Sequence, residues 1–267
     1  MSSSQQSTDW LGHYQSTQPG HPLHFAMVHG NKLNFLWTLG FYLVASQSSP
    51  SVPSIEDKSF IEDCVTAHNE MRRTVQPSAA NMKYMTWDEG LAKTAKSWAN
   101  QCKFEHNNCP ANRCHPTFAY VGENIWLGGL YHFKPAIAIR SWYNERQFYT
   151  YSSQHCTKVC GHYTQVAWAD SYKVGCAMTI CPKLGKGDPV MFVCNYGPAG
   201  NYVGARPYTE GASCSTCGKE DTCENSLCRN ETRERLMEYP NWNPKGQAPQ
   251  SAASNLLCLL CVLLRMC

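Results

Sequence analysis

The stretch GHYTQVAW, Gly161–Trp168, followed by FVCNYGPAGNY, Phe192–Tyr202, decides the fold. Tyr163, Gln165 and Ala167 alternate with His162, Thr164, Val166 and Trp168, which predicts a strand starting at His162. Val174, Cys176, Met178 and Ile180 alternate in the same way, and the Gly- and Pro-bearing loop Leu184–Pro189 returns the chain into a third strand over Val190–Asn195. Two further pieces lie upstream, HNEMR at His68–Arg72 and GENIW at Gly122–Trp126. There the period is helical. Phe60, Ile61, Cys64, Val65, His68 and Met71 share one face of a helix that ends before Pro77. Leu91, Ala95, Trp98 and Cys102 mark a second helix from about Asp88. A third opens at Pro135, a favoured first-turn residue, with Ala138, Trp142, Glu145 and Tyr149 on one stripe. Helices followed by paired strands make an α+β domain.

The chain has 267 residues, 16 cysteines and a formal net charge of +3. Thirteen of the cysteines fall between Cys64 and Cys228, a density that implies an oxidising compartment. Basic residues are scattered without a long Lys/Arg run, so nothing points to nucleic acid. Lys32, the apolar run Leu33–Val44 and the small residues Ala45–Ser49 read as a secretory signal over residues 27–46, cleaved near Ala45 or Ser46. It lies far from Met1, so residues 1–26 read as an extension from an upstream start, Met27 being the alternative; a signal-anchor is the competing reading. At the other end, the polar stretch NPKGQAPQSAASN leads into the apolar run Leu256–Leu264. A small-residue site, a polar spacer and a short hydrophobic tail over 256–267 form a glycolipid-anchor (GPI) signal, with a frayed tail as the alternative. A transmembrane helix is unexpected at that length.

From Cys214 the composition changes. CSTCGKEDTCENSLC packs four cysteines into fifteen residues with almost no apolar side chains, so this piece must be stapled. Domain limits are therefore expected at 54–208 for the core domain, 209–229 for the cysteine-rich piece and 230–255 for a polar linker. Asn230-Glu231-Thr232 is a glycosylation sequon. Cys109 and Cys114, five apart in a polar loop, are expected to pair with each other. Cys214 and Cys217 form a CxxC, and His155, Cys156, Cys160 and His162 could be drawn as a zinc site. The secretory signal favours disulfides for the first, and a strand starting at His162 makes the second a poor geometry.

Four polar residues stand at the edges of apolar elements. Glu145 lies on the buried stripe of the third helix, where a carboxylate needs a partner. His162 opens a strand with Thr164 and Val166 on its face. Glu123 is wedged between Gly122 and Asn124, and His106 follows Phe104 just past the second helix. Together they suggest one polar cluster in a cleft. His68 lies on an apolar stripe and reads as a core histidine, with Asn69 and Arg72 tying the helix to the sheet. Neither HExxH nor GxSxG occurs, so a standard metalloprotease or α/β-hydrolase is unsupported.

The four motifs, in this order, resemble the signatures of the CAP superfamily: cysteine-rich secretory proteins, antigen five and pathogenesis-related proteins. Within it the resemblance is to the glioma pathogenesis-related group. It implies a three-layer α-β-α sandwich, disulfide-rich, with a short cysteine-rich hinge, and the bonds Cys102–Cys181, Cys176–Cys194, Cys214–Cys223 and Cys217–Cys228. Cys64, Cys156 and Cys160 then share one bond and leave one thiol over. A bond that the family often carries has Val121 and Gly197 in its places here. The larger channel-regulating lobe of cysteine-rich secretory proteins has no counterpart, which argues against channel regulation.

The resemblance also implies that His106, Glu123, Glu145 and His162 form a central tetrad whose histidines hold a divalent metal in some members. Two imidazoles with carboxylates suit Zn²⁺, as an optional ligand. Three functions follow as expectations. The first is a non-enzymatic extracellular binding protein, secreted or GPI-anchored, that engages a protein or glycan on another cell; the group's occurrence in the male reproductive tract implies a sperm-surface or gamete role. The second is a carrier of sterols or fatty acids along Phe118–Leu130, residues that core packing explains equally well. The third is a metal-dependent hydrolase built on the tetrad.

Overall fold

The computed structural model describes residues 52–244. The signal, the upstream extension and the apolar tail read from the sequence lie outside them. The first helix, α1, runs Lys58–Arg72, and Asp57 caps it by accepting the Ser59 N–H at 2.9 Å and the Phe60 N–H at 3.4 Å. Strand β1, Thr86–Trp87, leads through the N-cap Asp88 into α2, Glu89–Ala99. Cys102 lies beyond that helix in the left-handed region (φ 51°), so the chain turns sharply where the sequence pattern would have continued it. Then follow β2 (Gly122–Gly129), α3 (Pro135–Asn144), the short pair β3 (Tyr149–Thr150) and β4 (His155–Cys156), and α4 (Gly161–Val166). Strands β5 (Lys173–Ile180) and β6 (Pro189–Gly197) form the long hairpin. After it, β7 (Thr222–Glu224), β8 (Leu227–Arg229) and α5 (Glu231–Glu234) make the hinge and its exit.

The main sheet has the order β1-β5-β6-β2, antiparallel except for the β1–β5 pair. Alternation along β5 and β6 sorts the side chains into two layers. Phe192 stacks on Trp142 of α3 at 5.5 Å and meets Phe60 of α1 edge-on at 6.3 Å, while Tyr196, two pleats along, meets His68 of α1. The opposite face of β5 carries Gly175 against α2. A Cβ on Gly175 would lie 2.6 Å from Asp88 O and from Leu91 C, backbone atoms that cannot step aside. Gly175→Ala should therefore lower stability by about 2 kcal/mol or more, read as a lower denaturation midpoint with an unchanged m-value. This is the expected three-layer sandwich, with α2 on one face and α1, α3 and α4 on the other.

Two local expectations fail. Gly161–Val166 is a helix, not a strand. Tyr163, Val166 and Ala167 are all buried and fit spacing i, i+3, i+4, so over seven residues a helical and an alternating pattern coincide. The third helix stops at Asn144. Glu145 begins a 3-10 turn through Phe148, and Tyr149 is already in β3, so neither completes the α3 stripe.

All four disulfides implied by the resemblance are present, and Cys109 pairs with Cys114. Cys156 pairs with Cys160, which leaves Cys64, buried in α1, as the free thiol among the described residues. Burial pushes the Cys64 thiol well above its ordinary value, so it is an inert core group. The sulfurs of Cys214, Cys217 and Cys228 lie within 4.8 Å of one another, but all three belong to the hinge disulfides. The Cys156–Cys160 bond likewise removes the thiols of the zinc site drawn around His155.

Beyond the hinge the chain folds back on the body. Lys173 Nζ donates to Arg235 O at 2.7 Å, Lys93 Nζ to Tyr239 O at 3.1 Å, and Tyr239 OH to Asp88 Oδ2 at 3.0 Å. Residues 230–239 of the stretch read as a linker are thus attached to α2 and β5. The sequon residue Asn230 caps α5 by accepting the Arg233 N–H at 3.0 Å, and its Nδ2 donates to Asp221 Oδ1 at 3.1 Å.

Candidate functional site

The four residues form two histidine–glutamate pairs. His162 sits in the first turn of α4, and its Nδ1–H donates to Glu145 Oε1 at 2.7 Å. The other oxygen, Oε2, accepts the backbone N–H groups of His162 at 3.1 Å and Tyr163 at 3.4 Å. Glu145 therefore fixes the ring and also satisfies two free amides at the start of α4. Its place in the 3-10 turn just past α3 lets it reach across to α4, which an extension of the α3 stripe into the core would not. Trp142 stacks on the His162 ring, centroids 6.2 Å apart and planes 16° apart. The chain Phe192–Trp142–His162 thus carries the rigidity of the sheet to the imidazole.

Glu123 is on β2 opposite Asn195, and its Oε1 accepts His106 Nδ1–H and Asn107 N–H, each at 2.9 Å. The hydrogen bond to Glu123 raises the His106 pKa above its ordinary value, with burial working against it and the Glu123 charge adding to the rise. The His106 side chain is 63% exposed and Glu123 only 10%, so the carboxylate is the fixed partner and the ring faces outward. Glu123 Oε2 is buried without a hydrogen-bond partner. In both pairs Nδ1 is committed to a carboxylate, so Nε2 is the nitrogen offered to a ligand.

The pairs are joined through β2. Asn124, next to Glu123, donates from Nδ2 to His162 O at 3.1 Å and to Tyr196 OH at 3.2 Å. Tyr196 OH in turn donates to His68 Nε2 at 2.9 Å, and His68 Nδ1–H donates to Cys64 O at 2.7 Å. His68 is thus a satisfied core histidine at the end of a hydrogen-bond chain that starts at His162 O. Asn69 holds Met85 through both its backbone groups, Nδ2 to O at 2.8 Å and Oδ1 from N at 2.9 Å. The side chains predicted from the sequence therefore pair as two dyads on one sheet edge. Among the described residues the tetrad brings no three donor atoms within 4.8 Å of one another.

A third histidine–carboxylate pair is invisible in the motifs. His115 Nε2–H donates to Asp88 Oδ1 at 2.9 Å, while its Nδ1 accepts the Thr117 and Phe118 N–H groups at 3.1 Å each. Burial alone would raise the Asp88 carboxyl, but the hydrogen bonds of His115, the Leu91 amide and Tyr239 outweigh it and hold it below the ordinary range. Both ring nitrogens of His115 are used and the side chain is fully buried, so the pair braces the α2 cap and offers nothing to a ligand. Its only sequence signal is the tripeptide Cys114-His115-Pro116, which loop residues of any role could share.

Comparison with known proteins places this geometry. The family model described as "Cysteine-rich secretory protein family" (CAP) matches residues 65–196, which include all four tetrad residues and the long hairpin. GLIPR1-like protein 1 of Bos taurus is 56% identical over 240 residues, covering 89% of this chain and 99% of the relative. The Homo sapiens protein of the same name is 54% identical, with coverage of 88% and 98%. Among solved structures, one titled as NaASP2 with Zn²⁺ is 27% identical, covers 67% of this chain and all of its own, and aligns with a TM-score of 0.55. A sandwich edge carrying two carboxylate-held histidines, matched in sequence almost end to end by GLIPR1-like proteins, makes the chain a member of the cysteine-rich secretory protein (CAP) family.

Proposed function

We propose that this protein acts outside the cell as a binding protein and that the His106–Glu123 and His162–Glu145 cleft is part of its working surface. One observation carries the choice of binding over hydrolysis. Both carboxylates are spent on orienting rings and capping α4, and among the described residues no hydroxyl or thiol is hydrogen-bonded to either imidazole. An activated nucleophile needs that contact. Six disulfides among the described residues support an extracellular setting, and no described helix is long and apolar enough to cross a membrane. On the resemblance to glioma pathogenesis-related proteins, we extend the reading to tethering by a glycolipid anchor and a role on the sperm surface in gamete interaction. Release of the protein from intact cells by a phosphatidylinositol-specific phospholipase would support the anchor, and its retention would remove it.

The residues fit a divalent metal of the zinc class. The free nitrogens His106 Nε2 and His162 Nε2 would hold it, with Glu123 and Glu145 as orienting partners, an arrangement that raises imidazole basicity. The buried, unpartnered Glu123 Oε2 is an acceptor still unsatisfied beside the same ring. A bound Zn²⁺ would supply Lewis-acid polarisation of a ligand oxygen, which is the basis of the alternative metallohydrolase reading. Metal content by mass spectrometry tests it on the secreted protein, wild type beside His106→Ala/His162→Ala. Near-stoichiometric zinc lost in the variant is expected. Absence from both proteins, with both folded alike, would remove the metal and the hydrolase together and leave the binding reading standing.

A further inference from the structure

The β3–β4 hairpin and α4 enclose a tyrosine cluster that uses none of the four cleft side chains. Tyr163 meets Tyr143 at 5.6 Å and Tyr149 at 5.8 Å between centroids, and Tyr151 stacks on Tyr208 at 5.0 Å. Burial pushes the Tyr163 hydroxyl up to about 12, so the cluster stays neutral at physiological pH. Three exposed cations lie over rings in and beside it. Arg146 is 4.8 Å from the Tyr143 centroid, Lys158 4.9 Å from Phe148, and Arg206 5.5 Å from Tyr151.

None of the three has a carboxylate within ion-pair distance among the described residues. Of the nearby acids, Glu145 is taken by His162 and Asp170 by Lys83, which leaves Glu210 beside Tyr151. The sequence shows the same imbalance, with four Lys/Arg and one carboxylate between Leu130 and Ala169. The two arginines are also held in place. Arg146 donates from Nη1 to Tyr143 OH at 3.2 Å, and Arg206 from Nη2 to Ser152 O at 2.8 Å. Less rotamer freedom remains to be lost when an anion arrives.

Two adjoining clefts run along the hairpin, of about 630 and 260 Å³, sharing Gln154, Gly204 and Pro207. Hydroxyl and carboxamide groups, including Ser152, Thr209 and Asn201, line them together with Tyr149, Trp168 and Tyr202, and the larger one also carries Asp170 and Glu210 beside Arg206. That mixture suits stacked, polyhydroxylated rings better than the aliphatic anchors of an acidic peptide. We propose that this face binds a sulfated polysaccharide, with the Arg146, Lys158 and Arg206 heads taking sulfate groups and the clefts taking sugar rings. The proposal rests on the extracellular binding reading above, but not on the His–Glu cleft.

The test is biosensor binding of the full secreted protein to an immobilised heparin dodecasaccharide. Arg146→Ala/Lys158→Ala/Arg206→Ala should weaken binding by about tenfold or more, each sulfate contact being a charge-assisted bond. Arg146→Ala/Lys158→Ala spares the hairpin hydrogen bonds of Arg206, and should weaken it by about threefold or more if the triple variant misfolds. Lys183→Ala/Lys186→Ala/Lys219→Ala removes the same charge elsewhere and should bind like wild type, as should His106→Ala/His162→Ala. The chemically desulfated dodecasaccharide should not bind. No binding by the wild type, equal loss in the lysine control, or full competition by polyglutamate would overturn the proposal. Loss confined to the histidine variant would also overturn it, by placing the polysaccharide in the cleft, while the cleft reading itself would survive.

Discussion

Replacing Arg72 by Met is expected to cost about 4 kcal/mol of stability, enough to abolish secretion of a domain of ordinary stability. Arg72 is fully buried in the last turn of α1, and among the described residues no carboxylate lies within ion-pair distance of it. Its guanidinium instead gathers backbone carbonyls from two distant segments. Nη1 donates to Val166 O at 2.8 Å and Trp168 O at 2.7 Å, Nη2 to Lys83 O at 2.7 Å and Ala169 O at 3.2 Å, and Nε to Lys83 O at 3.1 Å. Met fills much of the volume but leaves Val166 O, Ala169 O and the half-buried Lys83 O without a partner, while Trp168 O keeps the Ser171 N–H at 3.2 Å; each lost partner carries a desolvation penalty of about 1 kcal/mol or more. Arg72→Lys should rescue little, because a single ammonium cannot reach both segments as a planar fork does. Guanidinium denaturation of the secreted variants, or their failure to be secreted, reads this out. A loss below about 1 kcal/mol for Arg72→Met would contradict the role given to these bonds.

The second large effect is on acid stability. Burial, with a smaller contribution from the Arg72 charge, lowers the His68 pKa from 6.5 to about 4, the bond to Cys64 O working the other way. In the unfolded chain the imidazole returns to its ordinary value. Between about pH 6.5 and about 4 the unfolded state therefore binds the extra proton, so stability falls as pH falls through that window and levels off below it. At full development the loss amounts to about 3 kcal/mol. The geometry gives the reason: the imidazole is a donor to Cys64 O and an acceptor from Tyr196 OH, and protonation would set Nε2–H against that hydroxyl. His68→Gln should lower stability at pH 7 and flatten its slope between pH 6.5 and 4. An unchanged slope would assign acid sensitivity to carboxylates instead.

What the sequence allowed and what it hid divide along physical lines. The long strands were legible because β5 and β6 are each wide enough for alternation to beat any other period, and Cys176 faces Cys194 in register. The segment at Gly161 was not, because six residues are too few to separate a turn and a half of helix from a strand. The tetrad residues could be named from the way they interrupt apolar elements, but not their pairing. That pairing depends on α3 ending at Asn144, an event set by packing rather than by a Gly or Pro stop signal. His115 could not be found at all, since its partner Asp88 is 27 residues away and already reads as a helix cap.

The return of the chain onto α2 shortens a leash. If residues after Cys228 swung freely, the body could stray from any anchoring point by the reach of every residue in between. Because Tyr239 is held by Asp88 and Lys93, the usable length is counted from residue 239, eleven residues later (239 − 228). At about 3.5 Å per extended residue, this removes about 40 Å of reach. A domain tethered through its C-terminus would then be attached from the α2 side, on a leash shorter by that length.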